Sequence, residues 1–168
     1  MTAEKELILD KAQIFQKIKR IAYEILENNI DEKEIVIAGI ADGGYNLSRI
    51  LADDLTKESD FKISLIKITF DKKAPFKSPI EVDCDIKTVK DKVIIIVDDV
   101  LHTGRTFLMG MKPFLEINVK KIQTVVLVNR DHTLFPVRAN YTGYELSTTL
   151  NDHVLVDLTS RDFGVYLY

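Results

Sequence analysis

Three features of the chain predict an α/β fold with a mainly parallel, twisted sheet flanked by helices. Short aliphatic runs alternate along the sequence with segments of helical apolar period. Those runs are continuous rather than alternating, as strands covered on both faces must be. Two of them are followed at once by turns rich in glycine and aspartate. The length of 168 residues, 46% of them hydrophobic, suits one domain over 1–168 whose core needs no metal or disulfide.

Asp10 stands as an N-cap, and Ile14, Ile18, Ile21 and Ile25 follow at spacings of four, three and four. This is one apolar stripe of a helix ending near Asn28 and Asn29. Residues 34–40 (EIVIAGI) read as a short buried strand, broken by Gly43 and Gly44. Leu47, Ile50, Leu51 and Leu55 form the next helical face, and residues 63–70 (ISLIKITF) a second strand. Residues 71–79 (DKKAPFKSP) hold two prolines and three lysines with little apolar period, which predicts an exposed, mobile loop. The most apolar strand covers 93–97, with Asp98 and Asp99 at its carboxyl end. A helix is expected over 103–117, kinked because Pro113 lacks an N–H. Residues 122–128 (IQTVVLV) form another buried strand, and two shorter apolar runs cover 153–158 and 163–168.

Lys plus Arg number 23 against 26 Asp plus Glu, a net charge of −3, which disfavours a nucleic-acid binder with a broad basic face. Cys84 is the only cysteine, so no internal disulfide can form and a reducing cytoplasm is the expected location. The first residues carry no basic segment followed by an apolar stretch, and the longest purely aliphatic run is five residues. Neither a signal peptide nor a membrane partner is expected.

In parallel sheets, ligands sit outside the carboxyl ends of the strands. That rule selects residues 41–44 and 98–106. The segment 93–106 reads VIIIVDDVLHTGRT and is the strongest signal in the chain. Two adjacent carboxylates at a strand end can accept hydrogen bonds from a vicinal diol or coordinate a hydrated divalent cation. The following HTGRT opens a helix, where free N–H groups and the hydroxyls of Thr103 and Thr106 can cradle a phosphate. Gly104 permits the tight backbone such a cradle needs. Each half taken singly has an equally good structural reading. Together, a diol or metal site a few residues from a phosphate cradle suits a ribose 5-phosphate.

VIIIVDDVLHTGRT resembles the phosphoribosyl-pyrophosphate (PRPP) motif of type I phosphoribosyltransferases. It is most similar to the VDDVL-x-TGRT form of the pyrimidine operon attenuator and uracil phosphoribosyltransferase group. RIAYE at 20–24 is similar to that group's N-terminal helix, and VLVNRDHTLFPVRANYTG at 126–143 to its base-side segment. The resemblance implies a single domain with a small hood and a homodimer. It also implies transfer of ribose 5-phosphate from PRPP to a nucleobase, uracil before a purine, with Mg²⁺ as cofactor. Asp98 and Asp99 would hold the ribose hydroxyls, with Mg²⁺ in the same region. His102, Thr103, Gly104, Arg105 and Thr106 would bind the 5-phosphate. Ala41, Asp42, Gly43 and Gly44 would form the pyrophosphate loop, and residues 71–80 a flexible hood. Arg130 and Arg138 would lie on the base side, with residues 127–137 lining it.

The chain departs from that pattern at three places. The attenuator group carries Thr-Arg-Gly in the pyrophosphate loop and purine relatives place Lys before Gly-Gly, whereas here an acid, Asp42, stands where a cation would help. Asp42 reads equally as the N-cap of the next helix. The group's Tyr-Arg-Asp-Asp is replaced by Phe70-Asp71-Lys72-Lys73, so Lys72, Lys73 and Lys77 either supply charge over pyrophosphate or only solubilise the loop. His102 stands where the group has Tyr or Phe and purine enzymes have Asp. A histidine, with an ordinary pKa near about 6.5, can exchange a proton with the base or simply wall the pocket. His132 and His153 lack the spacing of a metal pair. An alternative function is a pyrimidine regulator that senses a nucleotide or PRPP and binds RNA or has little activity. Net charge, Tyr23 in place of the group's helix histidine, and the shortness of the strip Lys17, Lys19 and Arg20 weigh against the RNA partner.

Overall fold

In the computed structural model, which describes residues 5–168, Asp10 caps a helix as its position predicts. Its carboxylate accepts the Gln13 N–H at 2.8 Å and the Gln13 side chain accepts the Asp10 N–H at 2.9 Å, a reciprocal capping box. The elements run β1 (Glu6–Asp10), α1 (Lys11–Asn28), β2 (Glu34–Ile40), α2 (Gly43–Glu58), β3 (Lys62–Thr69) and β4 (Glu81–Val82). They continue with β5 (Val93–Leu101), α3 (Arg105–Leu115), β6 (Lys121–Asn129), β7 (Tyr141–Glu145), β8 (Val154–Asp157) and β9 (Gly164–Leu167).

The main sheet has the order β4-β3-β2-β5-β6-β7. All its pairs are parallel except β3 with β4. Successive residues of a strand point to opposite faces, and here both faces are covered. Ile35 and Ile37 of β2 and Val93, Ile95 and Val97 of β5 pack under Ile14, Ile18, Ile21 and Ile25 of α1 and Leu47, Leu51 and Leu55 of α2. Val36, Ala38, Ile40, Ile94 and Ile96 meet Phe107 and Phe114 of α3 on the other face. The continuous aliphatic runs follow from this double burial.

A second sheet, β1-β9-β8, is antiparallel and is built from both ends of the chain. The sequence reading holds no strand at β1 or β7. In β1 only Leu9 is buried, and in β7 only Tyr141 and Gly143, so neither presents an apolar run.

Two boundaries beside the acid pair also differ. The strand carrying Asp98 and Asp99 continues to Leu101, because β6 runs on to Asn129 and keeps pairing with it. The acid pair therefore lies within the β5 ladder rather than past its end. The next helix begins at Arg105 rather than 103, since Gly104 has φ +87° and ends the preceding turn. Pro113 sits in the last turn of α3, where its missing N–H leaves most of the helix intact. Among the described residues no helix is long and apolar enough to cross a membrane.

Candidate active site

Strand order reverses between β2 and β5, and the turns leaving their carboxyl ends lie side by side there. Asp98 is buried, its side chain 3% exposed. Its carboxylate accepts the Asp99 N–H at 3.1 Å and meets the Lys72 ammonium at 3.2 Å. Burial, and then the neighbouring Asp99 charge, push the Asp98 carboxyl well above the usual carboxylate range, while Lys72 pulls the other way. Asp99 accepts the Val100 N–H at 2.9 Å with one oxygen and turns the other toward Gly43.

The loop after β2 lies directly on this acid pair. A Cβ on Gly44 would stand 2.8 Å from Asp98 Cα and closer still to the Val97 carbonyl, so only glycine lets the loop approach β5. The Ala41–Asp42 peptide bond is cis. Asp42 occupies the position before α2 but makes no side-chain cap bond. Its backbone is helical, φ −96° and ψ −37°, whereas a capping side chain needs an extended residue. Asp42 therefore does not cap α2 as its residue type suggests; its carboxylate is 89% exposed and lies 3.7 Å from the Lys67 ammonium.

The turn that follows β5 is tied to the segment after β6. The Thr103 carbonyl accepts the N–H groups of Leu134 and Phe135 at 2.9 and 3.1 Å. Thr103 Oγ1 accepts the Arg105 N–H at 3.3 Å. The Arg105 guanidinium lies between two rings, 5.6 Å from Phe76 of the β3–β4 loop and 5.3 Å from Phe135. Thr106 is half-buried in the first turn of α3.

The base-side residues take different positions. Arg130 is buried and donates to Thr148 Oγ1, to the Thr149 carbonyl and to the Asp152 carbonyl at 3.1, 3.2 and 2.7 Å. It clamps the segment 148–152. Arg138 is exposed and lines a cavity of about 450 Å³ with Leu101, Asn129, Thr133, Val137 and Glu145. His102 and His132 meet edge to face, with ring centroids 6.1 Å apart. His132 Nε2 lies 2.7 Å from the Thr148 carbonyl; a carbonyl only accepts, so that nitrogen carries the proton. Burial first, then the charges of Arg130, His132 and His153, lower the His102 pKa, which favours its neutral ring at pH 7.

Three participants escape sequence reasoning. Lys67 is a strand residue 25 positions from Asp42. His132 is 30 positions from His102 and shares no spacing motif with it. Residues 155–159, from β8 and the turn after it, line a cavity of about 270 Å³ with Asp42, Gly43, Asn46 and Asp99. No local signal marks them, because tertiary packing alone brings them to the site.

The sequence profile of the phosphoribosyl transferase domain family matches residues 5–161. The bifunctional protein PyrR of Bacillus pumilus (strain SAFR-032) is 33% identical over 168 residues, covering 95% of this chain and 93% of that protein. The bifunctional protein PyrR of Clostridium botulinum (strain Alaska E43 / Type E3) is 34% identical over 165 residues, covering 94% and 92%. Among solved structures, the hypoxanthine phosphoribosyltransferase of Trypanosoma cruzi shares the fold. It aligns at a TM-score of 0.80 and 15% identity, over 96% of this chain and 95% of that one.

Gly44→Ala is expected to lower stability by about 1–3 kcal/mol, since the new methyl group meets backbone on β5 rather than a side chain that can swing away. Urea denaturation at constant m-value measures the change.

Proposed function

The chain belongs to the phosphoribosyltransferase family, and we propose that it transfers the ribose 5-phosphate of PRPP to a nucleobase, uracil before a purine, releasing pyrophosphate. The observation that carries this reading is the packing of the glycine loop 41–44 against Asp98 and Asp99, with the turn 103–106 next along the same chain. A diol-binding acid pair and a phosphate-binding helix start are what an activated ribose phosphate requires.

Asp98 and Asp99 accept hydrogen bonds from the ribose hydroxyls. The turn His102, Thr103, Gly104, Arg105 and Thr106 offers N–H groups and hydroxyls to the 5-phosphate. A lone pair on the base nitrogen forms the bond to the anomeric carbon as the carbon–oxygen bond to pyrophosphate breaks. The electron pair of that bond leaves with pyrophosphate, and the nitrogen gives up its proton. His102, neutral and half-buried, is the group suited to receive it. Arg130 and His132, in the base-side segment, hold residues 148–152 through their backbone, and Arg138 lines the neighbouring cavity. The transition state has oxocarbenium character and water competes with the base, so covering the site matters. Phe76 on the Arg105 guanidinium and residues 155–159 beside Asp99 supply covers from two directions.

The donor set suits Mg²⁺. Among the described residues there is no cluster of three or more metal-ligating side chains, and the acid pair presents two adjacent carboxyl groups. Mg²⁺ is commonly held by one or two carboxylates with water and substrate oxygens completing the shell. Asp98 and Asp99 would hold it, and when bound it would offset pyrophosphate charge.

An RNA-binding role gains little from α1. Lys19 is paired with Glu58 at 3.3 Å, Arg20 with Glu24, and Lys17 lies 5.1 Å from the Tyr144 ring centre. These cations already have partners within the protein. Homodimer assembly and a cytoplasmic location complete the reading.

Pyrophosphate release from PRPP with Mg²⁺ is the test, run against uracil, guanine, hypoxanthine, xanthine, adenine and orotate. Turnover with uracil, abolished by Asp98→Asn with Asp99→Asn, is expected. Silence across the panel with PRPP still bound would favour the nucleotide sensor instead.

The pH profile follows from the direction of the His102 shift. Proton acceptance needs the neutral ring, so the His102 contribution to kcat/KM for the base is complete above its pKa and is lost as pH drops through it. That limb lies below about pH 6.5. His102→Asn is expected to remove the limb and lower kcat by about 10²-fold.

A further inference from the structure

Pyrophosphate departs with the electron pair of the broken carbon–oxygen bond, so positive charge close to the loop 41–44 favours its departure. The side chain the loop itself offers is the acid Asp42. Resting on the phosphoribosyltransferase reading above, we propose that Lys67 of β3 binds the departing pyrophosphate, and that Asp42 holds the lysine in place until that anion arrives.

The placement of Lys67 is set by its backbone. It stands opposite Gly39 in the parallel ladder, one residue before β2 runs out toward the loop. Its N–H donates to Asp83 Oδ1 at 2.7 Å and its carbonyl accepts the Asp83 N–H at 3.1 Å, so the side chain projects from a fixed base. The ammonium lies 5.3 Å from the Tyr45 ring centre and 3.7 Å from Asp42, over the first turn of α2. That turn has no capping side chain.

The charges around it fit a reserve cation. Lys72 is engaged with buried Asp98, and Arg105 with Phe76 and Phe135. The Lys67 pair is different. Its partner is 89% exposed, and an ion pair of that kind is weakly held. Pyrophosphate carries several negative charges, so it outcompetes a single solvated carboxylate for the ammonium. An acid in the loop is therefore tolerable, because it orients a cation supplied from the neighbouring strand.

Calorimetric titration with pyrophosphate in the presence of Mg²⁺ tests this on the wild-type chain, Lys67→Met and Lys67→Arg. Methionine keeps the stem against Tyr45 and removes only the charge. Lys67→Met is expected to weaken pyrophosphate binding about tenfold, and to raise KM for PRPP by the same factor, with KM for the base unchanged. Lys67→Arg is expected to restore most of the loss. Wild-type-like pyrophosphate binding by Lys67→Met, in an enzyme that turns over PRPP, overturns the assignment of Lys67 alone. A wild-type chain that binds no pyrophosphate and turns over no base overturns the underlying reading, and the assignment with it.

Discussion

Parallel pairing of β2 with β5, with Gly39 opposite Val97, fixes where everything else in the site can be. The register brings the two strands to their carboxyl ends together at the point where strand order reverses, so the loops beyond them share one crevice. Double burial of both strands holds that register, since a slip of one residue would exchange the residues facing α1 and α2 for those facing α3. Gly44 then brings the first loop onto the second strand. A larger residue would keep the pairing and lose the crevice.

The same geometry imposes an electrostatic cost. Two adjacent aspartates sit at the crevice floor, and one of them is almost wholly withdrawn from water. Burial of a carboxylate beside a second one is unfavourable unless a cation or a set of donors offsets it. Lys72 offsets part of it from the β3–β4 loop. Lys67 stands beside the exposed Asp42 at the crevice rim. Both cations come from outside the motif that carries the acids, so the charge balance of the site is a property of the fold and not of any one segment.

What the sequence reveals depends on whether a signal is local. The isoleucine stripe of α1, the strand at 34–40 and the aliphatic run at 93–97 each carry their own period, and each forms the expected element. Edge strands do not: β1 buries only Leu9, and β7 alternates around a glycine. The acid pair and the Thr-Gly turn are legible because they are contiguous. Lys67 beside Asp42, and His132 beside His102, are contacts between distant segments of chain and leave no mark on spacing. Arg130 is a further kind of case. Its acceptors include the Thr149 and Asp152 carbonyls, and every residue type offers the same backbone oxygen. Asp42 shows the limit of residue type, since its helical φ and ψ, and not its identity, decide that it does not cap α2.

The buried acid of β5 is retained for ligand binding at a cost to stability. Scanning calorimetry of Asp98→Asn, with and without PRPP and Mg²⁺, measures that cost. Lys72 is 37% exposed and can turn to water once its partner is neutral. The unliganded variant is expected to melt at or a few degrees above the wild type, about what 1 kcal/mol produces in a domain of this size, with no further rise on adding PRPP. A lower Tm that PRPP still raises as it does in the wild type would mean that Asp98 serves stability and not the ligand.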